Sequence, residues 1–209
     1  MTAPVYVAEH PLVLHKLARL RHRDTPPPAF RELVYEVSQF LFYEATRDVR
    51  LRPVTVPTPL APCDARESAE KIGLFPVLRA GLGMAQAMLG AFPEAAVWHL
   101  GLYRDHHTLK PVTYYNKLPA SHGIDVGLVL DPMLATGGSA IAALEILKKA
   151  GVPRVKFVGL IAAPEGVAAL RAAHPDVPAF LAAVDEKLNE IGYIVPGLGD
   201  AGDRQFGTV

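Results

Sequence analysis

One stretch decides the fold of this 209-residue chain: Val129-Leu130-Asp131-Pro132-Met133-Leu134-Ala135-Thr136-Gly137-Gly138-Ser139. The apolar run at residues 126–130 is typical of a strand buried on both faces. After a loop of small residues, apolar side chains recur at helical spacing from Ile141 to Leu147, and Gly151 marks the helix end. A strand, a glycine-rich loop and a helix start in this order indicate an α/β fold with an anion site at the edge of its sheet.

The chemistry of this loop predicts a sugar phosphate as its ligand. Backbone N–H groups of residues 135–139 can point at one phosphate, helped by the helix dipole and by the hydroxyls of Thr136 and Ser139. Asp131 would repel that phosphate, but it can accept hydrogen bonds from the two hydroxyls of a ribose whose 5′-phosphate occupies the loop. The alternative is a plain strand–helix turn with Ser139 as the helix cap, which explains the glycines but not the acid.

The bulk composition indicates a globular protein with no strong charge preference. Half of the residues are hydrophobic, and 21 Lys and Arg balance 21 Asp and Glu. This balance argues against a protein whose main partner is nucleic acid. The lone Cys63 excludes an internal disulfide and fits a reducing cytoplasm, and neither a signal peptide nor a membrane span is expected.

The rest of the chain predicts alternating elements. Helices are expected at 12–22, 25 to about 47, 82–92 and 164–173, and strands at 54–56, 72–78, 95–102, 113–117, 155–162 and 179–184. The alternation from residue 72 onward predicts a parallel sheet with helices on both faces, within a single domain at 1–209. The first two helices form a helical arm at 1–50 that is expected to pack on this core or on another subunit.

Two further segments place cations where strands end. Leu78-Arg79-Ala80-Gly81 follows a predicted strand and precedes a helix, so it can form a second anion-binding loop; the alternative is a turn with a solvated Arg79. Arg104 follows another strand, and a guanidinium can bind two oxygens of a diphosphate at once. The adjacent His106 and His107 would face opposite ways on an extended segment, which disfavours a metal site.

The C-terminal segment at 192–208 is rich in glycine and could be a frayed tail. Its apolar residues, which include Tyr193, Ile194 and Phe206, are costly to leave exposed, so an ordered loop is expected instead.

Together the three loops resemble those of a known family. The run at 131–139 resembles the phosphoribosyl-diphosphate signature of type I phosphoribosyltransferases, and within them it is similar to that of the uracil phosphoribosyltransferase family. The resemblance implies their parallel sheet flanked by helices, with an N-terminal helical arm and a C-terminal base-binding loop at 185–209. Many relatives have two adjacent acids where this chain has Asp131 and then Pro132.

The resemblance also implies an activity: transfer of a 5-phosphoribosyl group from its 1-diphosphate to N1 of uracil, which forms UMP and diphosphate. Phosphoribosyl diphosphate would be held by Arg79, Arg104, Asp131, Asp200 and residues 132–139, with Lys110 and Lys117 as helpers. Magnesium would arrive with the diphosphate rather than on a direct protein site. A homo-oligomer and activation by GTP are further implications.

The same segment implies how uracil is recognised. Uracil presents acceptor, donor and acceptor along O4, N3–H and O2, and main-chain groups of Ile194, Gly199 and Ala201 can offer the matching pattern. Asp200 would point the other way, towards the diphosphate or its magnesium. Two alternatives stay open: a pyrimidine-responsive RNA-binding regulator on the same fold, and a salvage enzyme for another base such as xanthine or hypoxanthine.

Overall fold

The computed structural model describes residues 2–104, 111–119 and 121–208, with only the backbone described at 103, 104 and 111. Its helices are α1 (Pro11–Arg21), α2 (Pro27–Ala45), α3 (Leu82–Ala91), α4 (Gly138–Lys149), α5 (Pro164–Ala173) and α6 (Ala201–Phe206). Its strands are β1 (Val5–Val7), β2 (Leu51–Pro57), β3 (Pro62–Ser68), β4 (Ile72–Pro76), β5 (Ala96–Val97), β6 (Gly101–Arg104), β7 (Pro111–Tyr115), β8 (Val126–Leu130), β9 (Met133–Leu134), β10 (Arg154–Ala162), β11 (Ala179–Val184), β12 (Lys187–Leu188) and β13 (Ile194–Val195).

A parallel sheet forms the centre, in the strand order β1-β11-β10-β8-β4-β5, with β9 paired to the end of β10. Period-two alternation divides its side chains between two faces. Leu128 and Leu130 pack with α1, α2 and α3, whereas Val129 and Phe157 pack with α4 and α5. The expected parallel sheet between helical layers is confirmed, and β8 is buried along its whole length because both of its faces are covered.

The N-terminal helices pack on the core of this chain, which is one of the two arrangements that the sequence left open. Helix α2 contacts α3, β10 and β11, and its Phe30, Val34 and Val37 are fully buried. Helix α1 packs on α2 through Leu17 and Leu20. The two helices therefore form part of a layer over the sheet.

The predicted strand at 95–102 is wrong, because the chain there serves two sheets. β5 pairs with β4 in the central sheet, whereas β6 turns away to form an antiparallel hairpin with β7, and a register shift follows Gly101. The predicted hairpin partner at 113–117 is confirmed as β7. A mainly apolar run, interrupted here only by His99 and Gly101, does not show where a chain leaves one sheet for another.

Five strands have no counterpart in the prediction: β1, β3, β9, and β12 and β13 of the C-terminal segment. The short β1 lies at the sheet edge beside β11, and β9 has only two residues. β3 pairs with β2 in a hairpin that places Cys63 on an exposed strand. Within the described ranges no helix combines the length and the apolar character that crossing a bilayer requires.

Candidate functional site

The loop after β8 has the geometry of an anion site. Gly137 occupies the cap position of α4 with φ +84°, a left-handed conformation that favours glycine, and no side chain caps this helix. Ser139 lies inside the helix, so the alternative of a serine-capped turn is wrong. The first N–H groups of α4 have no partners within the helix and can donate hydrogen bonds to a phosphate.

Asp131 lies at the carboxyl end of β8, directly before this loop. Its Oδ1 accepts a hydrogen bond from the Met133 N–H at 3.2 Å, which fixes the carboxyl and leaves Oδ2 without a partner among the described residues. Burial raises the pKa of Asp131 from 3.8 to about 6, and the Met133 N–H opposes that rise only in part. A half-buried carboxylate that is costly to ionise is typical of a group retained for a ligand.

The second predicted loop follows β4 and places Arg79 beside the C-terminal helix. The Leu78–Arg79 peptide is cis, and the Gly81 N–H closes the turn on the Val77 carbonyl at 2.9 Å. The Arg79 guanidinium is about half exposed (56%) and lies 3.0 Å from Asp203. The Thr208 hydroxyl and Arg79 hold the pKa of Asp203 below its usual value, so this carboxylate is charged at neutral pH.

Several residues weighed in the sequence analysis lie outside the described part of the chain: the disfavoured metal pair His106 and His107, the helper Lys110, and the side chain of Arg104. The backbone of Arg104 ends β6, next to the start of β7. Lys117 is described, and its Nζ lies 5.7 Å from the centre of the Tyr115 ring.

The C-terminal segment is ordered, as expected. β12 and β13 form a small hairpin, a cis Val195–Pro196 bond follows, and the chain then turns into α6. Gly197 and Gly199 adopt left-handed conformations with φ of +65° and +78°. Asp200 caps α6, because its Oδ1 accepts the Asp203 N–H at 2.9 Å. One oxygen of Asp200 therefore has a structural role in addition to the ligand role that the sequence predicted.

Gln205, which the sequence analysis missed, joins the Arg79 loop to the C-terminal segment. Its buried side-chain amide donates to the Ala80 carbonyl at 2.9 Å and to the Ala201 carbonyl at 3.0 Å. The Arg79 loop and the predicted base-binding segment are thus held against each other. A glutamine in a glycine-rich stretch carries no signal that would identify such a link.

Two arginines that were also missed tie the segment to α1. Arg204 donates to the carbonyls of Leu198 and Leu20 at 2.7 and 3.0 Å, and Arg21 donates to the Gly197 carbonyl at 2.8 Å. The carboxyl end of α1 therefore supports the C-terminal segment directly.

The comparisons with known proteins agree on one family. Residues 7–208 match the family model described as "Uracil phosphoribosyltransferase". The chain is 64% identical to the uracil phosphoribosyltransferase of Roseiflexus castenholzii over 98% of both chains, and 58% identical to that of Symbiobacterium thermophilum, again over 98% of both.

Solved structures give the same result for the fold. The AQ2163 protein of Aquifex aeolicus superposes with a TM-score of 0.91 at 39% identity, with 97% of each chain covered. A purine phosphoribosyltransferase from Pyrococcus horikoshii has a TM-score of 0.50 at 16% identity over 74% of this chain and 84% of its own, which is a likeness of fold alone.

Proposed function

Because the chain belongs to the uracil phosphoribosyltransferase family, we propose that its three loops bind phosphoribosyl diphosphate and uracil side by side. The enzyme transfers the 5-phosphoribosyl group from phosphoribosyl diphosphate to N1 of uracil and forms UMP and diphosphate. The observation that best supports the proposed arrangement is the Gln205 link, because it fixes the Arg79 loop next to the base segment.

In this arrangement the sugar phosphate lies on the β8–α4 loop. The 5′-phosphate accepts hydrogen bonds from the N–H groups of residues 135–139, and the ribose hydroxyls donate to Asp131. Pro132, Met133 and Leu134 hold this loop on the sheet, because Met133 and Leu134 pair with β10 and the Pro132 carbonyl accepts the Leu160 N–H at 3.0 Å. Arg79 and Arg104 take the diphosphate, with Asp200 beside it.

Uracil lies against the segment that follows β13. Main-chain groups of Ile194, Gly199 and Ala201 pair with O4, N3–H and O2, next to Asp200. Cytosine reverses the pattern at two of these positions and would leave buried polar groups unpaired, a mismatch that can amount to about 10⁴-fold in discrimination.

Catalysis then follows from positioning and charge. As the bond from C1 to the diphosphate loosens, positive charge grows on the ribose and negative charge grows on the leaving group. Arg79 stabilises the leaving diphosphate after exchanging Asp203 for it, and the phosphate loop holds the other end of the ribose. No covalent intermediate on the protein is needed.

Magnesium fits this site as an ion that arrives with the substrate. Asp131 and Asp200 offer hard oxygen donors, but each already accepts a backbone hydrogen bond, and the described residues hold no cluster of three or more metal-ligating side chains. Bound to the diphosphate, the ion would supply positive charge at the leaving group.

The first test is an assay of UMP formation from phosphoribosyl diphosphate and magnesium with uracil, cytosine, hypoxanthine or xanthine. Turnover of uracil alone is expected, and the same assay with added GTP tests the activation that the family resemblance implies. No turnover of any base by folded protein would contradict the proposal and favour an RNA-binding regulator on this fold.

The pH dependence should report Asp131. Since the ionised carboxylate accepts hydrogen bonds from the ribose hydroxyls more strongly than the neutral acid does, kcat/KM for phosphoribosyl diphosphate is expected to rise with pH up to about 6 and then to level off. Asp131→Asn should lower the plateau about 100-fold and remove this limb. Initial rates at pH 5 to 8 measure both effects.

Stability should move in the opposite direction. Because the folded pKa of Asp131 lies above 3.8, folding stability decreases as the pH rises from about 4 to 6, and that loss persists above pH 6. Asp131→Asn should therefore raise the Tm at pH 8. Asp176→Asn is the control, because Asp176 lies far from the site and its hydrogen bond with Lys148 lowers the pKa of its carboxyl. Loss of this carboxylate should lower the Tm without changing the rate of UMP formation. If kcat/KM of Asp131→Asn still rose with pH up to about 6, that rise would be assigned to the substrate phosphate instead of Asp131.

A homo-oligomer and a cytoplasmic location complete the proposal. The edge strand β1 borders an apolar groove of about 620 Å³, and Tyr6, Val7 and Tyr43 beside it are exposed. Among the described residues β1 has no partner strand on its outer side, and exposed apolar surface beside such an edge is typical of a subunit contact. Sedimentation of the purified protein measures its mass in solution, and a mass equal to one chain would contradict the proposed homo-oligomer.

A further inference from the structure

Gly197 is held at both of its main-chain groups by one ion pair, in which the carboxylate is buried and the guanidinium is partly buried. Its N–H donates to Asp185 Oδ2 at 2.8 Å, and its carbonyl accepts from Arg21 Nη1, also at 2.8 Å. The same Nη1 donates to Asp185 Oδ2 at 2.7 Å, and the second nitrogen of Arg21 pairs with Oδ1. The three residues form a closed ring of hydrogen bonds around one glycine.

The ring is attached to both the central sheet and the helical layer. Asp185 directly follows β11, and its N–H donates to the Ala162 carbonyl of β10 at 2.7 Å. Its side chain is only 3% exposed, and Arg21 ends α1. The position of Gly197 is therefore defined by the central sheet on one side and by the helical layer on the other.

Gly197 in turn supports the main-chain groups assigned to uracil. It packs so closely on Ile194 that a Cβ added to it would lie 2.1 Å from the Ile194 carbonyl oxygen. Gly199 lies two residues further on, with its own left-handed backbone. A shift of the Gly197 peptide would thus displace the carbonyl of Ile194 and turn Gly199.

A contribution to stability alone explains this pair poorly. Desolvation of the buried Asp185 carboxylate and of the partly buried Arg21 guanidinium offsets much of their attraction, so such a pair adds little net stability compared with apolar residues of similar size. What such a pair does well is fix the geometry of the groups that it touches.

We propose that Asp185 and Arg21 are positioning residues for base recognition, which hold Gly197 so that Ile194 and Gly199 face uracil in the correct register. The proposal rests on the base-binding segment of the proposed function. It predicts that damage to the pair affects uracil far more than phosphoribosyl diphosphate, because the β8–α4 loop makes no use of the pair and Asp200 is held separately by the Asp203 N–H.

The chain offers a matched control at the other end of the sheet. Glu70 lies just before β4, has a side chain that is 1% exposed, accepts the Arg50 N–H at 2.9 Å and pairs with Arg50 and Arg154. Asp185 and Glu70 are thus both buried carboxylates that bind arginine and one backbone amide. Of these two carboxylates, only Asp185 contacts Gly197 in the base-binding segment.

The experiment compares Asp185→Asn with Glu70→Gln in the full chain. Both should lower the Tm, but only Asp185→Asn should raise the KM for uracil, by about 10- to 100-fold, with the KM for phosphoribosyl diphosphate changed less than twofold. Arg21→Lys keeps the charge but loses the two-pronged geometry, so it should raise the uracil KM by a smaller factor. This variant keeps the test decisive if Asp185→Asn does not fold.

An unchanged uracil KM in Asp185→Asn or Arg21→Lys, with a lowered Tm, would overturn the proposal and make the pair purely structural. Equal increases in both KM values would also overturn it. Turnover of uracil by the wild-type enzyme, measured in the same series, separates these outcomes from a failure of the proposed function.

Discussion

Replacing Arg79 by alanine is expected to lower kcat by about 10²- to 10³-fold, the loss typical of removing one group that stabilises charge in the transition state. The guanidinium lies at the edge of the site, 3.0 Å from Asp203, where it can exchange one anion for another. Negative charge on the diphosphate grows as the bond to C1 breaks, so the loss should appear in kcat more than in the KM for uracil. Steady-state rates with each substrate varied in turn measure this division.

Asp203→Asn provides the matched comparison for Arg79. It removes the charge that holds Arg79 in the ligand-free enzyme and leaves the guanidinium in place. Since diphosphate then competes with a weaker partner, the KM for phosphoribosyl diphosphate should fall or stay unchanged while kcat is retained. A drop in kcat as large as that of Arg79→Ala would contradict the view that Asp203 only occupies the place of the diphosphate.

The core of the fold could be predicted because its strands and helices carry periodic patterns. The strand at 126–130, the helix at 164–173 and the strand at 179–184 are found as expected, since each buries a continuous run or stripe of apolar residues. The two strands β1 and β9, with three and two residues, are too short to carry a period. Their pairing is decided by the neighbouring strand and not by their own sequence.

The site divides in the same way. Asp131 and Arg79 could be identified because each follows a strand and precedes a glycine-rich helix start, which is a local pattern. Arg21 and Asp185 could not, since 164 positions separate them in the chain and their contact exists only when α1 lies over the sheet. Local patterns identify the groups that face a ligand, and the tertiary fold selects those that hold them.

Gly197→Ala should have the largest effect on base choice. The residue has φ +65°, and an added Cβ would meet the Ile194 carbonyl oxygen at 2.1 Å, so either the carbonyl or the turn must move. The Ile194 carbonyl belongs to the proposed contact with uracil, and the turn leads to Gly199, which belongs to it as well. We expect kcat/KM for uracil to fall at least about 100-fold, as for the loss of one or two hydrogen bonds in a buried site, and most of the preference over cytosine to disappear.

Gly151→Ala isolates the geometric part of this effect. Gly151 has the same left-handed backbone, with φ +84°, but an added Cβ would meet nothing within 4 Å, and it lies beyond the far end of α4. The left-handed backbone should cost both alanines about 1–2 kcal/mol in the free energy of unfolding. Gly197→Ala should lose more than this, because its Cβ also meets the Ile194 carbonyl. Only Gly197→Ala should change the ratio of kcat/KM for uracil and cytosine. If Gly197→Ala lost stability but kept that ratio, uracil would be recognised by other residues. A segment displaced at Ile194 could not preserve a preference for uracil that depends on the main-chain groups of this segment.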